Sequence, residues 1–119
     1  MRDSRLMGIW KSDAKRTARE IAARRDIPAS KKRKLRSLFG KLELRYTRTH
    51  CHSLYDGNRT INRYIVVARD SSSVAIVSFN SISGPQIFHI HFEGKHYWIC
   101  LGKIREHFKR KKRKAAYLR

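Results

Sequence analysis

From Lys41 onward the spacing of apolar residues changes from a helical period to a period of two, and it keeps that period almost to the end of the chain. Leu42, Leu44 and Tyr46 alternate with Glu43, Arg45 and Thr47, which is the pattern of a strand with one buried face. Tyr64, Val66 and Ala68 share a face within residues 60–69, and residues 74–79 continue the series. Gln86, Phe88, Ile90 and Phe92 then alternate with Ile87, His89, His91 and Glu93, followed by strands at 96–101 and 104–109. Short turn signals separate these stretches: Asp56-Gly57, Asp70 with three serines, Ser83-Gly84-Pro85, Glu93-Gly94-Lys95 and Gly102. With Leu6 to Lys11 as an opening strand the count is about seven. Consecutive strands joined by such short turns form an antiparallel meander, and closing it into a barrel removes its exposed edges.

Between the opening strand and Lys41 lies a helical hairpin. Ser12 or Asp13 can cap a first helix over about 13–25, accepting hydrogen bonds from its free backbone N–H groups. Ala14, Ala18, Ile21 and Ala22 form one narrow apolar stripe, predicted to pack on the barrel over its open end. Asp26-Ile27-Pro28 breaks that helix, and Pro28 suits the start of a second over about 28–39. Gly40 is its natural C-terminal stop. The fold class is therefore mainly β: a small antiparallel barrel with a helical hairpin after its first strand. Residues 1–108 are read as one such domain. Residues 109–119 are read as a basic, flexible tail, because six adjacent cations from Lys109 to Lys114 repel one another.

Several classes of function lack support in the residues. The longest apolar run is too short for a membrane span, which needs about 20 residues. The basic N-terminus is followed by too short an apolar stretch for a secretory signal, so a cytoplasmic location is expected. Cys51 and Cys100 do not form a Cys-x-x-Cys pair and are read as reduced thiols. His50, His52, His89 and His91 could gather around zinc only if their strands were neighbours, and no carboxylate spacing supports such a site. No metal and no cofactor is therefore expected. Nucleophile motifs, phosphate-binding loops and paired carboxylates are also missing, so no enzyme activity is expected.

The stretch Gly8-Ile9-Trp10-Lys11, the helices between Ser12 and Phe39, and Arg105 near the end together resemble the lipocalin and fatty-acid-binding group of small β-barrels, the calycins. The resemblance covers the layout from Leu6 to about Phe108. It implies that Gly8, Trp10 and Arg105 close one end of the barrel, with the guanidinium lying over the indole. The chain departs from the group in having fewer strands. It also carries Arg105-Glu106-His107 where the fatty-acid carriers have an Arg-x-Tyr carboxylate motif. With these departures, the resemblance implies a separate, bacterial branch with a similar small barrel.

Two functions follow from these readings. The first is a lipocalin-like binding protein for a hydrophobic or anionic small molecule, whose candidate ligand-binding residues are Tyr46, Tyr64, Phe79, Phe88, Trp98 and Arg105. The second is a basic nucleic-acid-binding protein without strong sequence preference. Lys and Arg outnumber Asp and Glu by 13 to 4 over residues 1–36, 7 to 4 over residues 37–101, and 9 to 1 over residues 102–119. The polyanion-binding candidates are thus Lys15, Arg16 and Arg19, then Lys31, Lys32, Arg33 and Lys34, then Lys109, Arg110, Lys111, Lys112, Arg113 and Lys114.

Overall fold

The computed structural model describes residues 2–111. Eight strands form one closed antiparallel barrel in sequence order: β1 (Gly8–Ser12), β2 (Leu42–Tyr46), β3 (His50–Tyr55), β4 (Asn58–Arg69), β5 (Ser73–Asn80), β6 (Gly84–Glu93), β7 (His96–Leu101) and β8 (Ile104–Arg110). Two helices, α1 (Ala14–Ala23) and α2 (Ala29–Leu38), connect β1 to β2. This architecture is consistent with a calycin-like fold. None of the described helices is long and apolar enough to cross a membrane.

The barrel has one strand more than the periodicity predicts, and the added strand is β3. Its inward residues, Cys51 and Ser53, are small and weakly apolar, so its alternation is faint. Pairing with β2 and β4 on both sides holds it in place. The Asp56-Gly57 turn has both residues at positive φ (50° and 84°), the geometry that matches the twist of a two-residue hairpin. A register shift between Val66 and Ala68 turns Ala68 outward, away from the face it was predicted to share with Tyr64 and Val66.

β8 extends through Lys109 and Arg110, which pair with Lys11 and Trp10 of β1, so the barrel does not end at Phe108. β1 is short and covers only part of the β8 edge. α1 continues along the rest. The Asp13 N–H donates to the His107 carbonyl at 2.7 Å, and the His107 N–H donates to Thr17 Oγ1 at 3.0 Å. Asp13 caps α1 by accepting from the Arg16 N–H. The buried face of α1 consists of Thr17 and Ile21, with Ala14 and Ala22 exposed, so the helix packs beside β8. α2 buries no residue.

The core packs Leu6, Trp10, Leu44, Tyr46, Tyr64, Val66, Val74, Ile76, Ile90, Tyr97 and Phe108 into the interior. The N-terminal segment closes one end. Trp10 is buried; its indole N–H donates to the Leu6 carbonyl at 2.9 Å, and its ring lies 4.5 Å from that of Tyr97. The cation over this indole is Arg110, at 4.4 Å, and not Arg105. In the alternation of β8, Glu106, Phe108 and Arg110 point inward while Arg105 points out. Arg110 also donates to the carbonyls of Met7 and Arg5, both at 2.6 Å. Gly8 sits at φ 113°, and a Cβ there would lie 2.8 Å from Arg110 Nη1, so this glycine makes room for the clasp.

Candidate functional site

Away from this clasp the interior is incompletely filled. A cavity of about 180 Å³ lies among Leu42, Leu44, Tyr46, Cys51, Ile76, Phe88, Ile90, Tyr97, Ile99 and Phe108, and four further lining residues, Ser53, Asn62, Ser78 and Gln86, carry uncharged polar side chains. Strand alternation explains the composition. Each of the four shares the inward phase with a core residue on its own strand: Ser53 with Cys51, Asn62 with Tyr64, Ser78 with Ile76, and Gln86 with Phe88. All four lie on the side of those core residues away from the end closed by the N-terminal segment: Cys51 pairs with Tyr46, the partner of Gly8 at the start of β1, while Ser53 pairs with Leu44, two residues further from that end. The deep wall is thus mostly apolar and the outer wall carries neutral hydrogen-bonding groups.

Where the wall is polar but buried, ionisation is suppressed. The Tyr46 and Tyr97 hydroxyls are 3.3 Å apart, and burial raises both above the ordinary phenol range. Burial pushes the Cys51 thiol up to about 11, which keeps it protonated and a poor nucleophile. No charged residue lines the cavity. The inward-pointing carboxylate next to this lining is Glu106, whose register partner Ile99 is a lining residue. Glu106 is buried and its Oε2 accepts a hydrogen bond from Ser12 Oγ at 2.8 Å. Burial raises its pKa, and the Ser12 hydrogen bond offsets part of that rise.

A raised carboxyl pKa has a definite sign for stability. The unfolded chain releases this proton first, so the folded state binds more protons as pH rises above the ordinary carboxylate value, and stability falls through that window. Glu106→Gln keeps an oxygen for the Ser12 hydroxyl and removes the titration. Its thermal melts are expected to match or exceed the parent at neutral pH and to lose this downward slope. An unchanged slope in melts taken across the acidic range would mean that Glu106 is not the group responsible.

Of the six candidate ligand residues, Tyr46 and Phe88 line the cavity. Tyr64 is buried beside Tyr46, edge to face at 5.6 Å, and its phenol is pushed up to about 12, mainly by burial. Phe79, Trp98 and Arg105 are on the outer surface. Ser78, Tyr97 and Ile99 take the inward positions, so their neighbours in sequence face out. Arg63 lies 5.7 Å over the Phe79 ring. Trp98 is sandwiched between His91, stacked at 4.0 Å, and Arg105, also at 4.0 Å. These three residues do not contribute to an interior site. Sequence reasoning missed Ser53, Asn62, Ser78 and Gln86. The available signal was that polar residues continue the inward phase toward one end of four successive strands.

The basic candidates are spread over several surfaces. Lys15 and Arg19 are exposed on α1, while Arg16 pairs with Asp13. Lys31, Arg33 and Lys34 are exposed on α2, and Lys32 Nζ donates to the Ala22 carbonyl. Lys109 and Arg110 belong to β8, and Lys111 pairs with Glu43 at 2.7 Å. Lys112, Arg113 and Lys114 lie outside the described residues. The strands bearing the histidine pairs, β3 and β6, are separated by β4 and β5. Among the described residues, no three His, Cys, Asp or Glu side chains are grouped to hold a metal ion. Comparison with protein-family models, with curated proteins and with solved structures gives no significant match to this chain.

Proposed function

We propose that the chain is a non-enzymatic, lipocalin-like binding protein that holds a small neutral molecule inside its barrel. One observation carries this reading: an interior cavity whose deep wall is mostly apolar, whose outer wall bears Ser53, Asn62, Ser78 and Gln86, and whose lining has no charge. About 180 Å³ suits a single ring or a short chain, since a dry engineered cavity of about 150 Å³ accepts benzene. Between a hydrophobic and an anionic ligand, the lining favours the uncharged one. A carboxylate would find no cation in the lining and would stand on the same inward side as Glu106. Amide and hydroxyl groups along the wall would select a ligand with one or two hydrogen-bonding substituents.

Titration with phenol, indole, hexanol and octanol, against hexanoate and octanoate, tests this reading. The neutral set is expected to bind and the carboxylates are not. Ser78→Phe, which fills the cavity, is expected to abolish binding. Asn62→Leu and Gln86→Leu should each weaken it by about 3- to 10-fold, the size of one net hydrogen bond. Carboxylates binding as well as their alcohols, or Ser78→Phe binding normally, would contradict the proposal.

A further inference from the structure

The outer surface of β4, β5 and β6 is unlike the rest of the barrel. Ile65, Val77 and Ile87 stand side by side across the three strands, because Ile65 pairs with Val77 and Val77 with Ile87. Phe79 and Pro85 pair in the next outward row, and Ile61 extends the apolar area along β4. Val77 at the centre is half-buried and the others are open to solvent: Ile87 is 74% exposed and Ile61 61%. Ile82, in the turn between β5 and β6, is 95% exposed. Contiguous apolar area of this kind marks a contact surface, whereas single exposed hydrophobes do not.

The charged groups on the patch itself are both arginines. β4 carries Arg59 and Arg63 on its outward face, with Arg63 over Phe79. Neither β4 nor β5 contains an acidic residue, and the single acid of β6, Glu93, is at its far end. The outward residues from Ile61 to Val67 on β4, from Ala75 to Phe79 on β5, and Pro85 and Ile87 on β6 include no uncharged hydrogen-bonding side chain. Such a surface offers a partner apolar area and positive charge, with neutral polar side chains (Ser81, Ser83 and His89) at its margins.

We propose that this face docks on an anionic lipid surface, with Ile82, Ile87 and Phe79 entering the interface and Arg59 and Arg63 at the headgroups. The charge argues for it, because anionic headgroups attract arginine and a second copy of this chain would bring like charges together. The shape argues for it too. The outer wall of a barrel is convex and Ile82 protrudes, and a deformable lipid layer accommodates a protrusion where a protein would need a matching hollow. The proposal is independent of what the interior binds.

Flotation of the full chain with vesicles tests it, using phosphatidylcholine alone and phosphatidylcholine mixed with phosphatidylserine at physiological salt. The unmodified chain is expected to float with the mixed vesicles and not with the neutral ones. The double variant Ile82→Asn with Ile87→Asn leaves every charge in place, so it separates apolar insertion from attraction by the basic segments elsewhere. It is expected to lower the vesicle partition by at least about ten-fold. Both positions are exposed, so the variant should keep the parent circular dichroism and melting temperature. Arg63→Gln should weaken binding and reduce its salt dependence. Equal partition of the double variant and the parent would overturn the proposal, as would equal binding to neutral vesicles or no binding at all. A dimer of the parent in solution that the double variant abolishes would also overturn it, assigning the face to a second copy.

Discussion

Trp10→Ala is expected to lower the unfolding free energy by about 3–5 kcal/mol, the cost of deleting a large buried aromatic side chain. The indole is 2% exposed and packs on Tyr97 at 4.5 Å and Phe92 at 6.4 Å. Its N–H holds the Leu6 carbonyl, so its loss also frees the N-terminal segment that closes this end of the barrel. Trp10→Phe retains much of the apolar volume and loses that hydrogen bond, so a smaller loss of about 1–2 kcal/mol is expected. Urea unfolding followed by far-ultraviolet circular dichroism gives both values. A loss below about 1 kcal/mol for the alanine variant would mean that Trp10 is not the keystone of the closed end.

The second large effect is expected at Arg110. Ending the chain after Phe108 removes two β1–β8 register pairs, the guanidinium over Trp10, its two hydrogen bonds to Met7 and Arg5, and the Lys111 N–H bond to the Ile9 carbonyl. The barrel would then be held between β1 and β8 only by the Ser12–Phe108 pair and the Ser12–Glu106 side-chain hydrogen bond, and cooperative unfolding is expected to be lost or shifted down by at least about 4 kcal/mol. Arg110→Ala alone should cost about 1–3 kcal/mol, since the guanidinium is partly exposed and its contacts with the ring and the carbonyls are not additive. Arg110→Lys keeps the charge but not the planar fork, so it should rescue less than half of that loss. A chain ending after Phe108 that melts like the parent would contradict the clasp.

The contrast between Arg105 and Arg110 shows which parts of the fold are legible in the sequence. Strong alternation, as in Leu42, Leu44 and Tyr46, and turn chemistry such as Asp56-Gly57 depend on local geometry, and both reappear in the structure. So does the hairpin after β1, because Pro28 acts through its own backbone and Asp13 through a side-chain cap only three residues long. Arg110 was hidden because it lies within a run of like charges that begins at Lys109, where composition suggests a solvated tail. Its partner 100 residues away becomes visible only once β1 and β8 are in register. The signal was nevertheless present: Phe108 and Arg110 share a phase, and Arg105 has the opposite one.

Trp98 and Phe79 illustrate a second limit. Both faces of β7 are rich in large side chains, with Tyr97 and Ile99 on one and His96 and Trp98 on the other, so alternation alone does not say which faces inward. Tyr97 goes in because it completes the cluster of Trp10, Phe92 and Phe108 at the closed end. Trp98 goes out, where His91 and Arg105 cover its two faces. The polar cavity residues escaped notice for a related reason. A serine or glutamine at an inward position looks like an interruption of a strand until closure shows that four of them line the same space.

The measurement that bears most directly on the interior is native mass spectrometry of the full chain, purified gently and compared with its Ser78→Phe variant. The account predicts that the parent carries a small neutral molecule, or takes one up from the phenol, indole and alcohol set, at one equivalent per chain, and that the variant carries none. Parent and variant spectra that both show only the bare chain in the presence of the whole set, or uptake that is the same in the two, would contradict a binding site inside the barrel.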